Sequence, residues 1–348
     1  MPERGGAFSS LTELTLARLR EFLREPEALF WVFVFPVLMA CALGVAFRAR
    51  GQEAVLVGVL DVEGRTELEA ALGDAPEIRT RVVGRGDLAL VLQRAEAQIV
   101  VEPGSPPIFH YDPTRTESRL ARRIVDDALQ RAAGRADAFE GRDALVETVG
   151  SRYIDWLLPG LLGMTLMSTG LWGIGFSIVV ARTRKLLKRL VASPMRRRDY
   201  LLAQVLGRLV FLGPEAGLLL AFGWFVFGVP QRGSWLLLAA TCVLGALSFG
   251  GLGLLIASRA RTIEAVSGLV NIVMLPMWLL SGVFFSASNF PDVMQPPIQA
   301  LPLTALIDAL RGIMLEGAPA GALAGELAIL VAWGVGSFGL ALRLFRWR

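Results

Sequence analysis

Six stretches of this chain are apolar for long enough to cross a bilayer as helices, and that property excludes nearly every soluble fold. A hydrocarbon core about 30 Å thick takes roughly 20 mostly apolar helical residues to cross. Windows of that length lie at about 28–47, 155–180, 201–228, 235–257, 265–285 and 321–342. Hydrophobic residues make up 54% of the chain, and they are gathered in these runs rather than spread periodically as in a soluble domain. The first run follows a stretch rich in arginines and acids and is long enough to span. It therefore reads as a retained helix and not as a cleaved signal peptide. Pro276 and the internal glycines do not count against spanning, because neighbouring helices can satisfy the freed backbone groups.

Lysine and arginine in the short loops set the orientation. With the N-terminus inside, the inner segments carry Arg4, Arg18, Arg20 and Arg24, eight basic residues from Arg182 to Arg198, Arg259 and Arg261, and Arg343, Arg346 and Arg348. The short outer loops carry only Arg232 and Arg311, so the count is 17 against 2. Both termini are expected in the cytoplasm.

Residues 48–153 then lie outside, and their pattern is that of a small α/β domain. Ala54–Leu60 is an apolar strand followed by the turn-rich Asp61–Gly64. Leu68–Leu72 reads as helix, Arg79–Val83 as strand and Leu88–Arg94 as helix. Gln98–Val101 and Ile108–Tyr111 are further short strands, and Thr116–Arg131 has helical spacing. About 100 residues suffice for a modest core. The expected fold class is thus an α-helical polytopic membrane protein of six transmembrane helices with an inserted small α/β extracytoplasmic domain. Its parts are a cytoplasmic amphipathic helix at 1–27, a first span at 28–47, the outer domain at 48–153 and a five-helix region at 154–348. Within the last, residues 286–320 are broken by Pro291, Pro296, Pro297 and Pro302, while Leu303–Leu315 is amphipathic. Short helices at the outer surface, or a partly re-entrant segment, are expected there.

The strongest local pattern is the basic stretch 181–199 between the second and third spans. Leu186, Leu187, Leu190 and Val191 share one helical face, ringed by Arg182, Lys185, Lys188 and Arg189, and Pro194 ends the helix. Two readings fit. One is an interfacial helix whose long side chains reach anionic headgroups. The other is a docking helix that fits a partner's groove and carries its motion to the two spans.

Charges inside the spans form the second pattern. Arg208 and Glu215 lie seven residues apart, about 10 Å along a helix axis, too far for contact without long reach or a bridging water. Arg208 is close enough to the inner surface to snorkel. Glu215 lies deeper, after Pro214, and suggests a role inside the bundle. Asp155 and Glu264 read as membrane-border residues. Tryptophans near span ends, among them Trp156, Trp224 and Trp235, read as interface anchors. His110 reads as an ordinary residue of the outer domain.

Four stretches resemble the permease subunits of ABC type-2 transporters, in the expected order. Arg20–Trp31, with Arg24 and Pro26, is similar to the family's elbow helix. The large outer domain after the first span is similar to that of a major branch. Lys188-Arg-Leu-Val-Ala-Ser-Pro194, continuing to Tyr200–Gln204, resembles the coupling segment, although the acidic residue and Gly-Thr that many members carry before it are absent. Leu280-Ser-Gly-Val-Phe-Phe-Ser286, Phe290-Pro291 and Ala300-Leu-Pro302 resemble the signature around the last outer loop.

The resemblance implies a bacterial inner-membrane permease that dimerises with a second copy or a similar chain and moves a drug-like or lipid-like substrate outward. Arg182, Leu187, Lys188, Arg189, Leu190, Pro194 and Arg196 would meet a separate ATP-binding cassette subunit, which would hold the ATP and magnesium. Arg208, Glu215, Pro276, Ser281, Gly282, Phe284, Phe285, Phe290 and Pro291 would line or gate the path. Membrane lipids and a periplasmic adaptor complete the expected partners; nucleic acid is not among them.

The residues themselves fit that division of labour. No Walker pattern is present, since Gly84-Arg-Gly86 lacks the following Lys-Ser/Thr. One histidine and two cysteines, Cys41 and Cys242, both inside apolar runs, speak against a metal cluster or disulfide framework. An intramembrane enzyme would need a nucleophile or metal motif that is not found. A membrane-anchored sensor using the outer domain is the alternative. It would usually carry a cytoplasmic output domain, and the longest inner loop here is about 20 residues.

Overall fold

The computed structural model describes residues 12–13, 15–16, 19–20, 22–47, 54–136, 152–186 and 197–344, with the backbone alone at 197–199 and 201. The chain divides into two compact units, Ala49–Val146 and the remainder, Met1–Arg48 with Glu147–Arg348.

The smaller unit is built on a short hydrophobic strand. In β1 (Val55–Leu60) four consecutive residues from Val57 are buried, the pattern of a central strand covered on both faces. It pairs in parallel with β2 (Ile78–Val83) and β3 (Ile99–Glu102), and β4 (Ile108–His110) adds antiparallel to β3. The order is β2-β1-β3-β4. Side chains alternate across the sheet. Val57, Val59, Ile99 and Val101 pack with Leu68 and Leu72 of α2 (Arg65–Gly73) and with Ala121 and Val125 of α4 (Thr116–Ala132). Leu60, Val83 and Val100 pack on the opposite face with Val91 of α3 (Leu88–Gln93). Every strand and helix expected from the pattern is present within one to three residues of its expected ends. His110 Nε2 lies 3.2 Å from Glu102, and Arg85 is 2.8 Å from the same carboxylate. These two bonds, the histidine's the larger influence, hold the Glu102 carboxyl below its usual range.

Among the described residues the larger unit holds six helices long and apolar enough to span: α1 (Pro26–Ala46), α5 (Tyr153–Thr183), α6 (Arg197–Phe227), α7 (Trp235–Arg259), α8 (Ile263–Leu280) and α11 (Ala324–Leu344). Pro26 opens α1, where its missing N–H removes no hydrogen bond. Ser234 caps α7 and Thr262 caps α8, each accepting from the backbone N–H three residues on.

Of the six, α5 and α7 are the enclosed pair. In each, 61% of the apolar window is buried, against 17–28% in the other four. The reason is glycine. A Cβ on Gly170 would lie 2.6 Å from that of Phe249, one on Gly253 would lie 2.7 Å from the Gly170 carbonyl oxygen, and one on Gly175 would lie 3.2 Å from the Gly253 carbonyl oxygen. The two backbones therefore touch, as small residues permit in a medium where burying apolar surface drives nothing. α11 joins the pair through Ser248 Oγ, which donates to the Leu330 carbonyl, and through Gly251 against Ser337.

Between α8 and α11 the chain turns through short helices. α9 (Gln295–Gln299) continues a 3-10 turn, and α10 (Pro302–Arg311) leads into a wider turn at Gly312–Glu316. The two arms meet at 86°. In α10 every residue but Asp308 is buried, so this helix packs as a core element of the unit. Gly163 faces Ile307 and Gly245 faces Leu306, which lets α10 wedge against both α5 and α7.

The central crossing yields a direct test. Gly253→Ala should cost roughly 1–3 kcal/mol through overpacking, whereas Gly173→Ala, where nothing lies within 4 Å of the new Cβ, should be neutral or slightly stabilising. Thermal unfolding of the two purified variants side by side checks this, and equal midpoints would remove the close crossing from the account.

Candidate functional site in the membrane-spanning bundle

An arginine and a glutamate on one turn-matched face of α6 form the first polar cluster. The apolar part of α6 begins at Leu202. Arg208 lies about 9 Å further along the axis and Glu215 about 20 Å, which brackets the middle of a layer about 30 Å thick. Arg208 is 8% exposed and Glu215 3%. Arg208 Nη1 donates to Glu215 Oε2 at 2.5 Å. Thr169 Oγ1 of α5 lies 3.0 Å from Glu215 Oε1 and 2.8 Å from the Thr165 carbonyl, so its one proton is shared between two acceptors. One expectation is corrected here: Arg208 does not snorkel to the surface. The contact across seven residues is made by the long reach that it was expected to need. The arginine side chain extends along the helix and covers the gap, because in hydrocarbon a paired charge costs far less than a lone carboxylate. Arg208 Nε and Nη2 have no hydrogen-bond partner among the described residues.

A second cluster ties the outer-loop signature to the bundle, and Arg311, which the sequence reading counted among loop charges, is at its centre. Arg311 is 6% exposed. Its guanidinium lies 3.2 Å from the centroid of the Trp156 ring, and Nη2 donates to the Gly282 carbonyl at 2.6 Å and to that of Trp156 at 3.3 Å. Asp308 stands 3.9 Å away, half exposed. Gly282 adopts φ +76°, which a side chain would strain. Trp156 thus serves as the floor for a cation, not only as an interface anchor. The expected anchoring fits Trp224 and Trp235, whose exposed rings lie 6.2 Å apart at the turn joining α6 to α7. The signal that marked Arg311 was available: a cation inside an apolar amphipathic stretch needs a partner.

Around this cation the signature residues divide. Ser281 and Val283 are buried, and Gly160 of α5 comes so close that a Cβ there would lie 2.7 Å from the Val283 carbonyl oxygen. Tyr153 Oη donates to the Phe284 carbonyl at 3.1 Å. Phe285 is 46% exposed, with its ring 6.5 Å from that of half-buried Phe290. Pro291 caps the 3-10 turn, and Gln295 Nε2 donates to the Ala287 and Phe290 carbonyls. Pro276 lies exposed within α8. The two clusters meet α5 at Thr169 and Trp156, about 20 Å apart along its axis, and so form separate sites. Asp155, expected at a membrane border, is fully buried and held by Arg152 at 2.7 Å.

At the opposite end of the bundle, Arg182 turns inward. Its Nη1 donates to the Ala257 and Ala260 carbonyls at 2.9 and 2.6 Å, closing the C-terminal end of α7. Leu187, Lys188, Arg189, Leu190, Pro194 and Arg196 lie outside the described residues. Arg24 is an exposed turn residue just before α1.

The family model described as ABC-2 type transporter matches residues 121–315, which is more than half of the chain and takes in both clusters. The chain belongs to the ABC-2 type transporter family. Among curated proteins it is 27% identical to the "Probable multidrug ABC transporter permease YbhS" of Escherichia coli K12, over 87% of this chain and 88% of that protein. It is also 27% identical to the "Inner membrane transport permease YadH" of the same strain, over 47% of this chain and 63% of the relative. With the "Probable multidrug ABC transporter permease YbhR" it shares 30% over 47% of this chain and 44% of the relative. In this ABC-2 type chain the Arg311 cluster joins three elements of the matched region, α5, α8 and α10.

Replacing Arg311 by Ala should release the 281–286 turn, with a loss of roughly 2–3 kcal/mol from the stacking and the charged hydrogen bond together. Arg311→Lys should fail to restore it, since an ammonium lacks the planar fork. Hydrogen exchange across 281–286 should rise at least about tenfold in both variants, and exchange at the parental level in the lysine variant would contradict the stacking argument.

Proposed function

We propose that this chain is the membrane-spanning permease subunit of an ATP-binding-cassette exporter, moving a hydrophobic or amphipathic, drug-like or lipid-like substrate outward from the cytoplasm or inner leaflet. The observation that carries the reading is the family match over 121–315, which contains a paired charge at mid-membrane depth inside six apolar helices. Power comes from a separate ATPase subunit that holds ATP and magnesium, and this chain supplies no catalytic residue of its own. The names of the relatives, two of them "Probable multidrug ABC transporter permease" and one "Inner membrane transport permease", support the substrate class and the membrane. The charge count of 17 against 2 supports cytoplasmic termini.

In this reading the subunit works as a dimer with a second copy or a similar permease. The basic segment 181–199 docks on the ATPase, with Leu187, Lys188, Arg189, Leu190, Pro194 and Arg196 forming the contact. Arg182 anchors the root of that segment to the end of α7. The elbow around Arg24 and Pro26 lies along the inner surface and leads into α1. ATP-driven closure of the ATPases pushes the segment, and α5 and α6, which flank it, carry the motion to Glu215 and Arg208. At the far side Pro276, Ser281, Gly282, Phe284, Phe285, Phe290 and Pro291 form the gate, locked in this state by Arg311. The outer unit stands ready for a periplasmic adaptor.

The test is the ATPase activity of the genomically neighbouring ATP-binding subunit, reconstituted in lipid with and without this chain. Stimulation of at least about threefold is expected. It should vanish, together with co-purification, when Leu187, Arg189 and Leu190 are replaced at once while membrane insertion stays normal. Stimulation unchanged by that triple replacement would sink the docking assignment, and no complex at all would sink the permease reading.

A further inference from the structure

The sheet of the smaller unit has two edges, and they are finished differently. β4 is three residues long and stands between Pro106-Pro107 and Pro113, which blunts it against further pairing. β2 is six residues long, carries no proline and pairs with β1 in unbroken register. Its four central residues, Arg79, Thr80, Arg81 and Val82, are all exposed. The Val55 N–H donates to the Glu77 carbonyl and the Asp61 N–H to the Val83 carbonyl. The odd-numbered residues from 77 to 83 therefore turn their backbone groups towards β1, and those between them turn theirs outward. The Ile78 N–H is taken by the Ala75 carbonyl. Thr80 and Val82 are left, each with an N–H and a C=O that meet no partner among the described residues.

Charge decides what suits that edge. Side chains alternate across a strand, so Arg79 and Arg81 share the face of Val83, and Thr80 and Val82 lie on the other. Arg79 makes no ion pair among the described residues. Arg81 holds Glu96 at 2.8 Å with 57% of its side chain exposed, and Arg85, just past the strand, is 74% exposed. A second copy of β2 is a poor partner. Antiparallel pairing through Thr80 and Val82 of both copies puts Arg81 opposite Arg81, and facing like charges destabilise a ladder. An acidic strand has the opposite balance. We propose that the β2 edge takes an extended acidic segment of another protein as an added antiparallel strand. Its backbone pairs with Thr80 and Val82, and its acids, two residues apart, stand opposite Arg79 and Arg81. Val82, 44% exposed, gives it an apolar contact on the other face. Neither the ATPase nor a transported substrate takes part, so this surface stands or falls apart from the exporter reading.

The probe is a short capped peptide of alternating glutamate and valine, added to the full chain in a neutral maltoside detergent. Anisotropy of the labelled peptide reports affinity, and hydrogen exchange across 78–83 reports the site. The acidic peptide should slow that exchange at least about tenfold, and its lysine counterpart should bind at least about tenfold more weakly. Methylating the peptide's backbone amides keeps its charge and removes its donors, and should weaken it by about tenfold or more. Val82→Pro removes an outward N–H and no bond to β1. It should weaken the acidic peptide by about tenfold while the thermal midpoint of the chain holds. Arg79→Glu leaves the backbone untouched and should erase the preference for the acidic peptide, which keeps the proposal testable if Val82→Pro does not fold. No binding of the acidic peptide up to about 1 mM would overturn the proposal, as would equal affinity for the two peptides. So would affinity indifferent to amide methylation, to Val82→Pro in a folded chain or to Arg79→Glu. Protection of 78–83 that rises with chain concentration in the absence of peptide would assign the edge to a second copy, and would overturn the acidic partner too.

Discussion

In hydrocarbon there is no water to fall back on, and a charged group inside this bundle needs a partner on the chain itself. The ion pair of Arg208 and Glu215 is the clearest consequence. Seven residues of helix separate the two, yet the guanidinium reaches the carboxylate, because leaving either charge alone at that depth would cost several kcal/mol. Thr169 joins from α5 and so makes the pair a link between helices. The same demand explains Arg311, which lies on the Trp156 ring and takes the carbonyls of Trp156 and Gly282. It also explains Arg182 at the end of α7 and Arg152 on Asp155. Arg182 and Arg311 each join different elements, and Thr169 joins the Arg208 pair to α5, so satisfying these charges also fixes the arrangement of the helices.

Close packing supplies the frame in which those polar links hold. Where lipid and side chain are equally apolar, helices associate through contact and hydrogen bonding rather than through burial. Gly170, Gly175 and Gly253 bring α5 and α7 into backbone contact, and Gly160 and Gly163 bring the signature turn and α10 against α5. The outer four helices leave most of their apolar surface outward, available to lipid or to a second permease.

Much of this was legible in the residues. Each span announced itself by length and apolar content, and the small α/β unit by strand-like runs such as Ala54–Leu60 followed by turn residues, since local pattern decides those elements. Tertiary reach was not legible. Arg208 looked close enough to the surface to escape, because spacing along one helix says nothing about what α5 packs against it. Arg311 was counted with loop charges, because the sequence of α10 reads as amphipathic and only its insertion between α5 and α7 reveals that both faces are covered. Ser281, Gly282 and Phe284 stood out as part of one signature stretch, but the cation that holds this turn came from a segment about 30 residues away and carried no motif. The basic segment at 187–196 lies outside the described residues, and the docking role given to it rests on charge, amphipathicity and position.

The claim on which the rest depends is that Arg208 and Glu215 act as one unit inside the bundle, and a double-mutant cycle measures that directly. Unfolding free energies of the full chain in lipid-detergent micelles would be determined for Arg208→Met, Glu215→Leu and the double variant. Each single change should cost about 3–5 kcal/mol, since it strands the other charge. The double change should cost less than the sum by at least about 2 kcal/mol. Costs that simply add, to within about 0.5 kcal/mol, would mean that the two charges are stabilised independently, and the account of a polar link at mid-membrane depth would be wrong.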